Sequence, residues 1–160
     1  LLKIEHPGNL GAIARVMANF SIQQLVLINP KCDFTDQDAK NRAKHAQAIL
    51  DNAVVADMSI LKTYDYLVGT TARLGRDYNI PRSPLLPEQL PALLHKKNNI
   101  GLLFGREGIG LTNEEIKLCD FTITIPTSKK YPSLNISHAA AIVLYELYKD
   151  HGKESIEPKF

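Results

Sequence analysis

Short apolar runs of strand length recur along this chain, each followed by a stretch whose apolar residues return every three or four positions, and that alternation constrains the fold most. Strand candidates lie at 25–28 (Leu-Val-Leu-Ile), 66–69 (Tyr-Leu-Val-Gly), 100–104 (Ile-Gly-Leu-Leu-Phe) and 121–125 (Phe-Thr-Ile-Thr-Ile). They are continuous apolar or β-branched runs bounded by turn residues, as parallel strands covered on both faces must be. Residues 1–5 read as the tail of another strand. Between them, helices are expected at about 9–19, 36–50, 112–118 and 136–149, with a brief one near 88–95. In the second, Ala43, Ala46, Ile49 and Leu50 form the apolar stripe. In the fourth, Ile136, Ala139, Ala140, Val143, Leu144 and Leu147 do so, and the Ala139-Ala140-Ala141 run suits close approach by another backbone. Thr112 with Glu115 three positions on matches a capping box. The expected fold is α/β, a mostly parallel sheet flanked by helices.

At 160 residues the chain suits one domain with its own core, and residues 1–160 are read as that domain. The proline-bearing stretch from Arg76 to Asn99, with Pro81, Pro84, Pro87 and Pro91, reads as a long functional connection within it. No run is long and apolar enough for a membrane span, and the opening residues are too charged for a signal peptide. The chain opens without methionine, so native residues are expected before Leu1. Cys32 and Cys119 stand alone, outside any metal-binding spacing, so neither zinc nor a disulfide framework is expected; they read as small hydrophobes in a reducing cytoplasm. A net charge of +2 is only mildly basic. The clusters Arg73 with Arg76, Lys96-Lys97 and Lys129-Lys130 border Gly- or Pro-containing loops and say more.

Three segments sit where a strand ends and a helix begins, the edge at which open α/β sheets bind ligands. The first runs from Asn9 through Gly11 to Arg15. Asn9 is placed to cap the helix, and Arg15, taken alone, is a surface cation. The second, Gly105-Arg106-Glu107-Gly108-Ile109-Gly110, has the wrong glycine order for a dinucleotide fingerprint and no following Lys-Ser/Thr for a P-loop. Its carboxylate, Glu107, is either solvated or paired with a cation. The third gathers Pro126, Pro132, Ser133, Asn135 and Ser137 round a turn whose exposed backbone groups can read an adenine edge. Ser137 as a helix cap explains only one of these polar residues.

Taken together and in order, Asn9-x-Gly11-x-x-x-Arg15, then Phe104-Gly105-x-Glu107-x-x-Gly110-Leu111, then Ile125-Pro126 followed by Ser133-Leu134-Asn135-Ile136-Ser137, resemble the three motifs of the SpoU-type, TrmH-like branch of the SPOUT RNA methyltransferases. Gly69-Thr70-Thr71-Ala72-Arg73 and Tyr131-Pro132 are similar to the TrmJ-like subgroup, which methylates cytidine or uridine riboses of the tRNA anticodon loop. The resemblance covers nearly the whole chain. It implies an α/β fold whose region 100–150 is threaded into a deep trefoil knot, S-adenosyl-methionine as cofactor, 2′-O-methylation of RNA, a homodimer whose sites borrow from both subunits, and a cytoplasmic setting without metal. Carried over by position, cofactor contacts fall on Thr70, Thr71, Ala72, Gly105, Ile125, Pro132, Ser133 and Leu134. The catalytic set is Arg15 with Asn9, Glu107, Ser133 and Asn135, Glu107 being expected to orient Arg15, within the subunit or across the dimer interface. Arg73, Arg76, Arg82, Lys129 and Lys130 are the expected RNA contacts. The chain stops at Phe160, whereas many such relatives carry a further RNA-binding extension. The competing readings are a non-catalytic RNA-binding or assembly protein on the same fold, ribosomal RNA as the substrate, and a flavodoxin-like nucleotide-binding enzyme.

Overall fold

A computed structural model of the protein describes residues 1–72 and 84–149. Their elements run α1 (Pro7–Asn19), β1 (Val26–Ile28), α2 (Gln37–Ala43), α3 (Gln47–Asp51), β2 (Val54–Ala56), β3 (Tyr66–Thr70), α4 (Leu90–Leu94), β4 (Ile100–Leu103), α5 (Asn113–Ile116), β5 (Phe121–Ile123) and α6 (Ile136–Tyr148). All strand pairs are parallel: β1 with β2, and β3 between β4 and β5. Residues 1–3 join the two sets. Ile28 donates to the Leu1 carbonyl at 2.8 Å, Lys3 donates to Ile28 at 2.8 Å, and Leu2 donates to Phe104 at 2.9 Å. On the far side Leu85 bridges Ile123. One parallel array therefore runs β2, β1, residues 1–3, β4, β3, β5 and Leu85.

The inner strands β1, β3, β4 and β5 are largely apolar because both faces of the sheet are covered there. Adjacent residues point to opposite faces of a strand, and the core divides accordingly. Leu27, Val68 and Phe104 belong to the larger cluster, which includes Leu10, Ile13 and Ala14 of α1 and Ala140, Val143 and Leu144 of α6. Ile28, Leu67 and Leu103 belong to a second cluster with Leu61, Leu111 and Ile116. This confirms the expected α/β arrangement of helices on both sides of a parallel sheet.

Four expectations need correction. The expected helix at 36–50 is broken: α2 ends at Ala43, Lys44 takes a left-handed φ of 54°, and a short 3-10 turn leads into α3. Its stripe is nevertheless buried, because a bent helix pair covers the core as well as a straight one. β2 is a further strand, three residues long and at the sheet edge with Val54 and Val55 exposed, too short to stand out from the helix end before it. Asn9 is not a cap: α1 starts at Pro7 behind His6, whose side chain caps nothing. At α6 the cap is Asn135, which accepts from the Ser137 N–H at 2.9 Å, so Ser137 lies inside the helix.

Ala140, in the run read as suiting close approach by another backbone, is 1% exposed and packs in this chain's own core. The side chains that α6 leaves in solvent are His138, Ile142 and Tyr145. Close helix approach occurs instead at Gly11, where an added Cβ would lie 2.1 Å from the Ala39 carbonyl oxygen of α2. Since backbone cannot yield as a flexible side chain does, Gly11→Ala should lower stability by about 2–3 kcal/mol, measured as the free energy of urea unfolding.

A second stability determinant is the ion pair of Arg106 with Glu115, whose side chains are 9% and 11% exposed. Burial pushes the Glu115 carboxyl up, but the guanidinium and the Thr112 N–H more than offset it, holding the group below its usual range. A carboxylate held low contributes stability that is present above its ordinary range and disappears as pH falls through the depressed value. Glu115→Gln should therefore cost about 3 kcal/mol at neutral pH, and its deficit against the parent should shrink in acid unfolding experiments.

Candidate active site

The carboxyl ends of β3, β4 and β5, and the helix starts beyond them, open onto a cleft of about 570 Å³. That volume suits a small-molecule ligand of cofactor size. Thr70, Thr71 and Ala72 come from the end of β3, and Gly105 and Glu107 from the loop after β4. Ile125, Pro132, Ser133, Leu134 and Asn135 come from the segment after β5, and Asn9 from α1. All eight residues expected to hold the cofactor thus line one cavity, as do four of the five expected catalytic residues. Its apolar walls include Ile123, Ile125, Leu134 and Ile136, and Glu107, Asn9 and Asn135 line it beside the start of α1.

The loop after β4 is rigid for reasons visible in its atoms. A Cβ on Gly105 would lie 2.2 Å from the Gly110 carbonyl carbon and 2.4 Å from the Leu111 nitrogen, so the loop closes on itself only because that position is glycine. Gly108 and Gly110 adopt φ of +77° and +73°, the left-handed region that glycine occupies without strain. The Arg106 guanidinium donates to the Gly110 carbonyl at 2.9 Å and reaches both Glu115 oxygens, at 2.6 and 3.2 Å. Glu115 in turn completes the capping box with Thr112, as the spacing predicted. The clamping role of Arg106 was not legible beforehand, although its partner's place in the box was.

So held, the loop delivers Glu107 to the start of α1. Its carboxylate accepts from the Glu5 N–H at 3.0 Å, the His6 N–H at 3.2 Å and the Asn9 amide at 3.2 Å. A carboxylate at a helix N-terminus satisfies orphan N–H groups and complements the helix dipole. Asn135 donates to the Asn9 side-chain Oδ1 at 2.9 Å, while its own Oδ1 accepts from the Ser137 N–H and hydroxyl. The chain Glu107–Asn9–Asn135–Ser137 thus ties two helix starts and one loop together along the cleft wall.

Arg15 stands elsewhere. It is exposed and does not line the cleft. Six residues on from Asn9 place it about 120° around the helix, so within one chain it faces away. Within this chain Glu107 is engaged with the start of α1. Lys129 and Lys130 are exposed on the segment leading to Pro132, whereas Arg73, Arg76 and Arg82 lie outside the described residues. Tyr131 and His138 also line the cleft and were not among the expected site residues.

Neither cysteine is primed as a nucleophile. Burial, then the neighbouring Glu107 charge, raises the Cys32 thiol, and burial with Asp120 and Glu115 pushes Cys119 up to about 11. Among the described residues no group of three or more His, Cys, Asp or Glu could hold a metal ion, and no helix is long and apolar enough to cross a membrane.

Comparison with known proteins places this geometry. The tRNA (cytidine-2′-O-)-methyltransferase TrmJ of Methanocaldococcus jannaschii is 42% identical over 151 residues, covering 92% of this chain and 65% of the relative. The tRNA (cytidine/uridine/adenosine-2′-O-)-methyltransferase TrmJ of Pseudomonas aeruginosa is 39% identical, covering 92% of this chain and 58% of its own length. The chain thus spans about three fifths of these curated relatives. A solved structure of a probable methylase family protein from Haemophilus influenzae superposes with a TM-score of 0.84 at 30% identity, over 99% of this chain and 69% of that one. Residues 1–145 match the SpoU rRNA Methylase family, and the chain belongs to that family.

Proposed function

We propose that the protein is an S-adenosyl-methionine-dependent methyltransferase that modifies a ribose 2′-hydroxyl in RNA, with an anticodon-loop nucleotide of tRNA as the substrate. The observation that carries this reading is the convergence of three separate sequence segments on one cleft, in a chain whose relatives are named tRNA 2′-O-methyltransferases. The whole chain, residues 1–160, serves as one cytoplasmic domain with region 100–150 threaded as a knot, and it works as a homodimer.

The residues present fit the cofactor. Ile123, Ile125 and Ile136 offer an apolar wall for an adenine ring, and backbone groups of 70–72 and 132–134 lie within the same cleft to bond its edges. When bound, S-adenosyl-methionine supplies an electrophilic methyl on a sulfonium. The protein's own work is to align the hydroxyl, exclude water and stabilise the charge that develops on oxygen. Glu107, Asn9 and Asn135 hold the cleft wall in place through α1 and α6. Ser133 stands in the cleft as a hydroxyl able to contact either reactant.

Arg15 is the cation for the developing alkoxide. A guanidinium is a poor general base and a durable positive charge. Because it faces away from its own cleft, it serves the cleft of a second copy and binds the RNA phosphate there. The exposed Ile142 and Tyr145 of α6, Tyr145 lying edge-on to Phe20 at the end of α1, supply an apolar face for that pairing.

Arg15→Ala should reduce methyl transfer to tRNA by at least about a hundredfold and leave cofactor affinity in calorimetry within a factor of two or so; parallel loss of both would place Arg15 in the cofactor pocket. The sharing of sites has its own readout. Arg15→Ala and a cleft-blocking Leu134→Trp should each be inactive alone, and co-refolded mixtures should recover about a quarter of parent activity, since half the dimers are mixed and each has one complete site. Mixtures as inactive as the single variants would refute a shared site.

A further inference from the structure

Tyr131 lines the cleft, yet 79% of its surface is in solvent. On the loop after β4, Ile109 lines the same cleft and is 70% exposed. A cofactor of the size the cavity admits is served by the deeper walls at Ile123, Ile125 and Ile136, which leaves these two rim side chains without a role.

The tyrosine is presented by a closed turn. Its N–H donates to the Ser128 carbonyl at 3.1 Å, the Lys130 N–H donates to the Ser128 hydroxyl at 3.2 Å, and the Thr127 hydroxyl donates to the Pro132 carbonyl at 3.1 Å. Pro132 fixes the backbone on its other side. Immediately before the aromatic ring stand Lys129 and Lys130, both exposed. A preordered aromatic face beside two cations is the combination that binds single-stranded nucleic acid: the ring stacks a base of any identity, and the ammonium groups meet the flanking phosphates. A lipid surface would want several adjoining apolar side chains, and an acidic peptide would have no use for a flat ring.

We propose that Tyr131 is a stacking platform for a nucleobase of the RNA segment entering the cleft, with Lys129 and Lys130 holding the adjoining phosphates. Stacking anchors one base at the rim and so directs a neighbouring ribose toward the cleft. The inference rests on RNA being the substrate and adds a residue through which it is gripped.

The chain contains no tryptophan, so Tyr131→Trp introduces a single indole at the rim, excited selectively at the red edge beyond tyrosine absorption. With S-adenosyl-methionine saturating, an anticodon-arm hairpin RNA should quench it, and inorganic polyphosphate should not. In parallel, Tyr131→Ala should weaken RNA binding about tenfold, Tyr131→Phe should restore it, and cofactor affinity should stay constant in both. Quenching by S-adenosyl-methionine alone, or an alanine variant that binds RNA like the parent, would overturn the platform. A parent protein that binds no RNA sinks the proposed substrate and the platform together; RNA binding and quenching without methyl transfer sinks the enzymatic reading only.

Discussion

The carboxylate of Glu107 is the interaction on which the site depends. α1 begins without a cap of its own, since His6 offers no side-chain bond and Pro7 has no N–H to satisfy. Glu107, a hundred residues downstream, accepts from the Glu5 and His6 N–H groups and from Asn9. A helix start, a glycine loop and, through Asn135, the start of α6 are therefore set by one charged group. A neutral side chain of similar shape would keep fewer of these bonds and lose their charge assistance.

That carboxylate can perform only if its loop is rigid, and three independent features make it so. Gly105 permits the backbone to touch itself, Gly108 and Gly110 adopt conformations that other residues rarely take, and Arg106 bonds across the loop to Gly110 while pairing with the buried Glu115. The second hydrophobic cluster, including Leu103, Leu111 and Ile116, packs beneath the same segment. Core packing and site geometry are here one structure, so substitutions that loosen the clamp act on binding as well as on stability.

The separation of Arg15 from the cleft bears on how the chemistry is organised. A cation that faces away from its own pocket is either a solvated surface charge or a group lent to another copy. Under the proposed reading, dimer formation and catalysis are the same event, and RNA meets a composite surface: a cofactor cleft and aromatic rim from one subunit and a phosphate-binding arginine from the other.

By itself the sequence determined the fold class, the parallel strands other than β2, and three segments from each of which residues line one cleft. These follow from local rules: apolar runs without alternation, helical spacing, and glycine or asparagine at strand ends. Thr112 with Glu115 was legible as a cap because the bonding is confined to four residues. What Asn9 and Ala140 do was not, since each is decided by partners far away in the chain, and the Arg106 clamp depends on how the glycine loop folds back on itself. Asn9 fits a helix cap by its residue type, yet Pro7 starts the helix two residues earlier and frees its amide for Glu107 and Asn135. Ala140 could serve any close packing, and only the curl of α6 over the sheet turned it inward. Tertiary structure decided these roles because a hydrogen bond or a van der Waals contact is specified by proximity in space, which local patterning leaves open until the chain has closed on itself.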